Sequence, residues 1–219
     1  MEKQSNIEAV IFDFDGTLAI LPINYDRMRK RLKALFSQFG IETDFRPLID
    51  SISTALLKLQ REGVASIDGI EKNAYAIIDY EELEAVKEAE LAQGAGDIFH
   101  SLKERNIATA IVSRNGKKCI NEFISKFNLP EPNLIVSRED SKKLKPHPEH
   151  IMVAMEQLKL QPHQLIIVGD SPDDIDAGKS LEIITALVGW SEYSQEQLNP
   201  DFVISDLSDL VGVIINEGT

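Results

Sequence analysis

The sequence predicts an α/β fold, a parallel sheet covered by helices on both faces, with an all-helical module inserted after the first strand. Three observations carry that prediction. Short runs rich in valine and isoleucine alternate with amphipathic stretches of helical length. The runs are nearly continuous in apolar residues, as strands buried on both faces are. From residue 22 to residue 92 the alternation gives way to helical spacing alone.

The elements follow in order. Residues 8–14 form the first strand. From Tyr25 the apolar positions Met28, Leu32, Leu35, Phe36 and Phe39 recur at helical spacing. A second helix runs from about Phe45 through Leu48, Ile49, Ile52, Leu56 and Leu59. More helix places Ile70, Ala74, Ile77 and Ile78 on one face and ends in an acidic stretch near Glu90. No strand signal interrupts this region. Alternation resumes near Gly94, with helices at 96–105, 117–127, 148–159 and 172–181. Strands lie between them at 108–113, 133–137 and 164–170, and two weaker ones follow at 185–188 and 202–205. The expected division is a core of residues 1–21 and 93–219 and a helical module of residues 22–92. The basic run Arg27, Arg29, Lys30, Arg31 and Lys33 reads first as a solvated helix face and second as a clamp for a substrate phosphate.

Composition narrows the function. With 219 residues, 43% of them hydrophobic, the chain can bury a core of one large domain or of one domain with an insertion. A net charge of −13 repels nucleic-acid backbones and anionic membranes, so neither is an expected partner. Small anions remain open, because a metal ion or local lysines can reverse the field inside a pocket. The single cysteine, Cys119, allows no intramolecular disulfide and reads as a small apolar helix residue. The first six residues lack the layout of a signal peptide, and no apolar run is long enough to span a bilayer. A soluble, cytoplasmic monomer or small homo-oligomer is expected.

The sharpest chemical signal is Val10-Ile11-Phe12-Asp13-Phe14-Asp15-Gly16-Thr17-Leu18. A buried strand runs into two carboxylates at the sheet end where parallel α/β sheets bind ligands. An EF-hand loop needs glycine at position 6 and glutamate at position 12. Counting from Asp13, Gly16 falls at position 4 and Asn24 at position 12, so that reading fails. The second signal is Leu165-Ile166-Ile167-Val168-Gly169-Asp170-Ser171-Pro172-Asp173-Asp174, again a strand ending in carboxylates. Helix capping accounts for these residues one by one. Two such strand ends in one sheet point to a shared cation, and an oxygen-only donor set favours Mg²⁺ over zinc. Ser113, closing a strand before Arg114-Asn115-Gly116, offers a hydroxyl and backbone N–H groups to a phosphate oxygen, or simply caps a turn. Lys142, Lys143 and Lys145 precede Pro146, and any one of them can neutralise charge between a carboxylate and a phosphate. Four histidines, His100, His147, His150 and His163, show no metal-ligand pattern and receive no role.

The order Asp-x-Asp-Gly-Thr, Ser, Lys-Pro, Gly-Asp-x-x-x-Asp resembles the haloacid dehalogenase-like (HAD) hydrolase superfamily, and within it the phosphoglycolate phosphatase-like branch. The resemblance covers nearly the whole chain. It implies a Rossmann-like core with a helical cap inserted after the first motif, where residues 22–92 lie. It implies that Asp13 is the nucleophile and Asp15 the general acid and base. Ser113 and the backbone N–H of Arg114 would hold the phosphate, and Lys145, directly before Pro146, would be the family lysine. Asp170 would ligate Mg²⁺ with the Asp13 carboxylate and the Asp15 backbone carbonyl. Asp174 would act through metal-bound water or Lys145, and Asp173 occupies a variable position. One departure stands out: the family's Ala-Ala-Gly after Lys179 is here Ser180-Leu181-Glu182, which puts the helix end in question.

The expected activity is therefore Mg²⁺-dependent hydrolysis of a small phosphorylated metabolite such as phosphoglycolate, a sugar phosphate or a nucleotide. Asp15 argues against dehalogenation, because a halide leaves without protonation and an alkoxide does not. Two other readings share these residues: a phosphomutase resembling β-phosphoglucomutase, and a non-catalytic phosphate-binding regulator on the same scaffold.

Overall fold

The computed structural model describes residues 7–216, so residues 1–6 and 217–219 of the expected core lie outside the described residues. The chain opens with β1 (Ala9–Phe12) and β2 (Ala19–Ile20), then runs through α1 (Tyr25–Ser37), α2 (Leu48–Arg61) and α3 (Ile67–Glu88). It continues with β3 (Glu90–Leu91), α4 (Ala95–Glu104), β4 (Ala108–Val112), α5 (Lys117–Phe127), β5 (Leu134–Val136) and α6 (Glu149–Leu158). It closes with β6 (Leu165–Gly169), α7 (Pro172–Ser180), β7 (Ile184–Val188), α8 (Gln195–Leu198), β8 (Phe202–Ile204) and α9 (Leu210–Asn216). Two compact units result, Met1–Leu21 with Ala89–Thr219, and Pro22–Glu88.

The first unit is the α/β fold that the sequence predicts. Its main sheet has the order β5-β4-β1-β6-β7-β8 and every pairing is parallel. Period two sends successive strand residues to opposite faces. One face gathers Ala9, Ile11, Ala110, Val112, Val136 and Ile167 against Ile151 and Ala154 of α6 and Ala177 of α7. On the other face Phe12 stacks on Phe99 of α4, with ring centroids 5.8 Å apart. Both faces are dry, which is why these strands read as unbroken apolar runs.

The connections place a site. From β1 the chain steps to β4 and β5 on one side, then returns to β6 on the other. β1 is thus where the winding reverses, and ligands bind beyond the strand ends at such a point. The register sets Phe12 opposite Ile111 of β4 and Val168 of β6, so the chain leaves all three strands at nearly one level.

The second unit is helical. Met28, Leu32 and Phe36 of α1 pack with Ile52 and Leu59 of α2 and Ile70, Ala74 and Ile78 of α3. The basic run is largely engaged within this unit: Arg27 and Arg31 pair with Glu81, Arg29 with Asp26, and Lys33 with Asp44. The Glu81 side chain is fully buried, so its two arginines offset the cost of desolvating it.

Two features differ from the sequence prediction. The second helix starts at Leu48 rather than Phe45, because a residue before proline is disfavoured in helical geometry and Pro47 follows Arg46. Residues 89–92, placed by sequence with the helices, sit in the sheet unit, where Glu90–Leu91 pairs antiparallel with Ala19–Ile20. A two-residue strand is too short to show a period. Among the described residues no helix is long and apolar enough to cross a membrane.

Candidate active site

Asp13 is the first residue past β1, and its N–H donates to the carbonyl of Val168 at 2.8 Å, so the neighbouring strand fixes its backbone. The chain then turns on itself. The Phe14 carbonyl accepts from the N–H groups of Leu18 and Ala19, both at 2.9 Å, and Gly16 N–H donates to the Ala19 carbonyl at 2.7 Å. Gly16 has φ +91°, and a Cβ there would lie 2.3 Å from Oδ2 of Asp170. Glycine is required both for the turn and for the close approach of Asp170. Within the same turn the Asp15 carboxylate accepts from Leu21 N–H at 3.2 Å.

The second strand end is held as firmly. Ser171 and Asp174 form a capping box at the start of α7, with Ser171 Oγ donating to Asp174 Oδ2 at 2.6 Å. Ser171 N–H donates to the same oxygen at 3.2 Å. Asp174 Oδ1 accepts from Lys145 Nζ at 2.5 Å, and that ammonium also donates to Asp13 Oδ1 at 2.7 Å. The Lys145 side chain is 2% exposed and its two partners 12% and 1%. Oxygen atoms of Asp13, Asp170 and Asp174 all lie within 4.8 Å of one another.

Three carboxylates crowd together here, and two of them, Asp13 and Asp174, share the Lys145 ammonium. Burial pushes the Asp170 carboxyl up to about 8, helped by the charges of Asp13, Asp174 and Asp15. Burial raises Asp13 as well, to about 6, with Lys145 pulling it down and Asp174 pushing it up. For Lys145 burial works against the charge, but Asp13 and Asp174 outweigh it and hold the ammonium protonated. An all-oxygen site with excess negative charge fits a hard divalent cation. Lys145 and Ser171 already engage both oxygens of Asp174, which leaves Asp13 and Asp170 as the carboxylates suited to hold it.

Ser113 follows β4, the strand beside β1, and is 1% exposed. Its Oγ donates to Asn115 Oδ1 at 2.9 Å and accepts from Asn115 N–H at 3.1 Å, closing a tight turn. The backbone of this turn is anchored from the end of β5: Arg138 N–H donates to the Asn115 carbonyl at 3.2 Å and Arg138 Nη1 to the Arg114 carbonyl at 3.3 Å. The Arg114 guanidinium pairs with the Asp173 carboxylate.

The structure thus brings Asp13, Lys145, Asp170 and Asp174 together, sets Asp15 in the adjoining turn, and places Ser113 and Arg114 at the end of the next strand. Besides Arg138, sequence reasoning missed four contributors. Asn115 fixes the Ser113 hydroxyl, and only the two-residue spacing hinted at it. Trp190 donates its indole N–H to the Gly16 carbonyl at 2.8 Å, and Ser191 Oγ donates to the Asp170 carbonyl. His150 is fully buried; Nδ1 accepts from Lys145 N–H at 3.4 Å and Nε2 faces the Ser137 carbonyl at 3.3 Å. The tautomer protonated on Nε2 satisfies both contacts. Burial, then the Lys145 charge, depress this imidazole to about 4, so it stays neutral.

Known proteins are similar to this chain along most of its length. An uncharacterized hydrolase, YOR131C of Saccharomyces cerevisiae, is 29% identical over 225 residues, 99% of this chain and 94% of that one. Pyrophosphatase PpaX of Halalkalibacterium halodurans is 28% identical over 220 residues, 95% of this chain and 97% of that one. The crystal structure of a hydrolase from Pseudomonas syringae superposes with a TM-score of 0.68 at 20% identity, covering 94% of this chain and 96% of that one. The profile of the haloacid dehalogenase-like hydrolases matches residues 10–188, and the chain belongs to that family.

Proposed function

We propose that the chain is a Mg²⁺-dependent phosphatase that hydrolyses a small phosphorylated metabolite through an aspartyl phosphate on Asp13. One observation carries the reading. Asp13 lies at the strand end of the winding reversal, charge-balanced by a buried Lys145 at 2.7 Å and next to Asp170. A carboxyl at about 6 is mostly ionised at neutral pH, as a nucleophile must be.

Mg²⁺ would be held by the Asp13 and Asp170 carboxylates and the Asp15 carbonyl, and when bound it offsets charge repulsion between the carboxylates and an incoming phosphate. The other steps belong to the chain. Ser113 and the N–H of Arg114 hold the phosphoryl oxygens. An Asp13 oxygen attacks phosphorus as the bond to the leaving oxygen breaks, and the Asp15 carboxyl gives that oxygen its proton. Water then gives a proton to the Asp15 carboxylate and attacks phosphorus, releasing orthophosphate and restoring Asp13. Lys145 keeps Asp13 charged and is itself positioned by Asp174. The helical unit acts as a cap that selects the leaving group.

The test is phosphate release from pyrophosphate, phosphoglycolate, sugar phosphates, nucleoside monophosphates and an aryl phosphate, with and without Mg²⁺. Pyrophosphate heads the panel because relatives that match along almost their whole length bear that name. Release that requires Mg²⁺ and disappears in Asp13→Asn is expected. Release that survives the substitution overturns the mechanism.

A further inference from the structure

We propose that the Arg114–Asp173 ion pair is an exchangeable anion clamp: Arg114 leaves Asp173 to grip a second anionic group on the substrate's leaving side. The preferred substrates are then phosphate anhydrides or esters whose leaving group is itself a phosphate or carboxylate. This rests on the reading of Asp13 as phosphoryl acceptor.

Topology places the clamp. Arg114 follows β4, Asp173 opens α7 after β6, and β1 lies between those strands. The pair therefore bridges the end of β1, where Asp13 emerges. Each of its side chains is 33% exposed, against 12% for Asp13 and 2% for Lys145, so the bridge lies on the solvent side of the reacting carboxylate. In-line displacement sends the leaving group away from the attacking oxygen, and attack outward from the strand end would direct it to the solvent side, on which this bridge lies.

The pair is built to exchange. A part-exposed ion pair is held weakly, because water competes for both charges. A phosphate or carboxylate presented in two-pronged fashion is a strong partner for guanidinium. The Arg114 backbone is pinned by Arg138, so its side chain can swing without disturbing the N–H proposed to hold the phosphoryl group. A neutral leaving group offers Arg114 nothing better than Asp173. An anionic one does, and its charge is neutralised in a protein that carries −13 overall.

The test compares kcat/KM for pyrophosphate and for p-nitrophenyl phosphate in the full chain, in Arg114→Gln and in Asp173→Asn, at fixed Mg²⁺. Arg114→Gln is expected to lower the pyrophosphate value roughly tenfold more than the aryl phosphate value, the usual cost of losing a charged hydrogen bond. Asp173→Asn frees the guanidinium and is expected to move the same ratio the other way, through a lower KM for pyrophosphate. A ratio that moves in one direction for both variants, or stays fixed, marks the pair as merely structural and overturns the clamp. Calorimetry in an Asp13→Asn background separates this from the phosphatase reading. There Arg114→Gln must weaken pyrophosphate more than orthophosphate binding, whether or not the parent protein turns over either substrate; equal weakening overturns the clamp.

Discussion

At His150 a buried imidazole ties the backbone of Lys145 to the end of β5, and its protonation is set by where it sits. Its value of about 4 when folded lies below the ordinary 6.5. A group depressed on folding contributes stability above its unfolded value and loses it as pH falls toward the folded one. Between pH 7 and pH 5 His150 is therefore expected to remove about 2 kcal/mol of folding stability. Urea midpoints of the parent and of His150→Asn at the two pH values check this; the variant should lose less on acidification, and an equal loss in both would remove His150 as the cause. Asp15 makes a second case at this scale. Its carboxyl is placed in the turn after Asp13 and is the group proposed to protonate a leaving alkoxide. Asp15→Asn is expected to cut turnover of poor leaving groups by roughly 10²- to 10⁴-fold, the usual contribution of a positioned acid. An aryl phosphate, whose phenolate leaves readily, should lose far less. Equal losses for both substrates in steady-state assays would deny Asp15 the acid role.

Among the elements, α7 shows what a departure from a family pattern does. The helix ends on Ser180, and Glu182 stands where the family's glycine is expected. The Schellman geometry is nevertheless complete: Glu182 N–H bonds to the Lys179 carbonyl at 3.0 Å and Ile183 N–H to the Gly178 carbonyl at 3.0 Å. Glu182 adopts φ +59° to achieve it. A side chain in that region costs about 1–2 kcal/mol, and glycine there returns part of this to unfolded-chain entropy. Glu182→Gly is expected to stabilise the protein by about 0.5–1 kcal/mol, read as a higher urea midpoint with an unchanged slope; no gain would mean that the strain is relieved elsewhere. The contrast with β2 and β3 shows what a sequence discloses. Strands such as residues 165–169 were legible because burial on both faces forces an unbroken apolar run. Glu90–Leu91 was not, because two residues carry no periodicity and their pairing depends on a partner some seventy positions away. Capping of α7 was legible in the run from Asp170 to Asp174, though not its reciprocal form; that Asp174 also holds Lys145 was legible only through the resemblance, since no local spacing links positions so far apart.

On the scale of the whole molecule, the motifs picked out Asp13, Lys145, Asp170 and Asp174, which the fold brings together, yet the sequence disclosed little of the layer behind them. Arg138 and His150 brace the site by contacts that depend on the fold rather than on local pattern, whereas Asn115 acts within its own turn, where spacing gave a hint. Modularity is a further property that follows from the fold. The chain leaves the sheet unit at Leu21 and re-enters it at Ala89. Just outside those points Ile20 pairs with Glu90 across an antiparallel ladder, so the two ends of the insertion are already neighbours. A two-residue hairpin turn spans such a gap, and Asn-Gly is the sequence that favours it. Replacing residues 21–89 by Asn-Gly is therefore expected to give a chain that still folds cooperatively, because it shortens a loop without moving its ends. The carboxylates of Asp13 and Asp170 remain in this chain, so Mg²⁺ should still raise its melting temperature; a hundredfold excess over Kd contributes about 2.7 kcal/mol. Asp170→Asn in the shortened chain should abolish that response. Discrimination among phosphorylated substrates should collapse, since the helical unit proposed to select the leaving group is gone. A shortened chain that shows no cooperative melt would mean that the sheet unit depends on the helices for its stability. One that melts cooperatively but ignores Mg²⁺ would move the cation site away from Asp13 and Asp170.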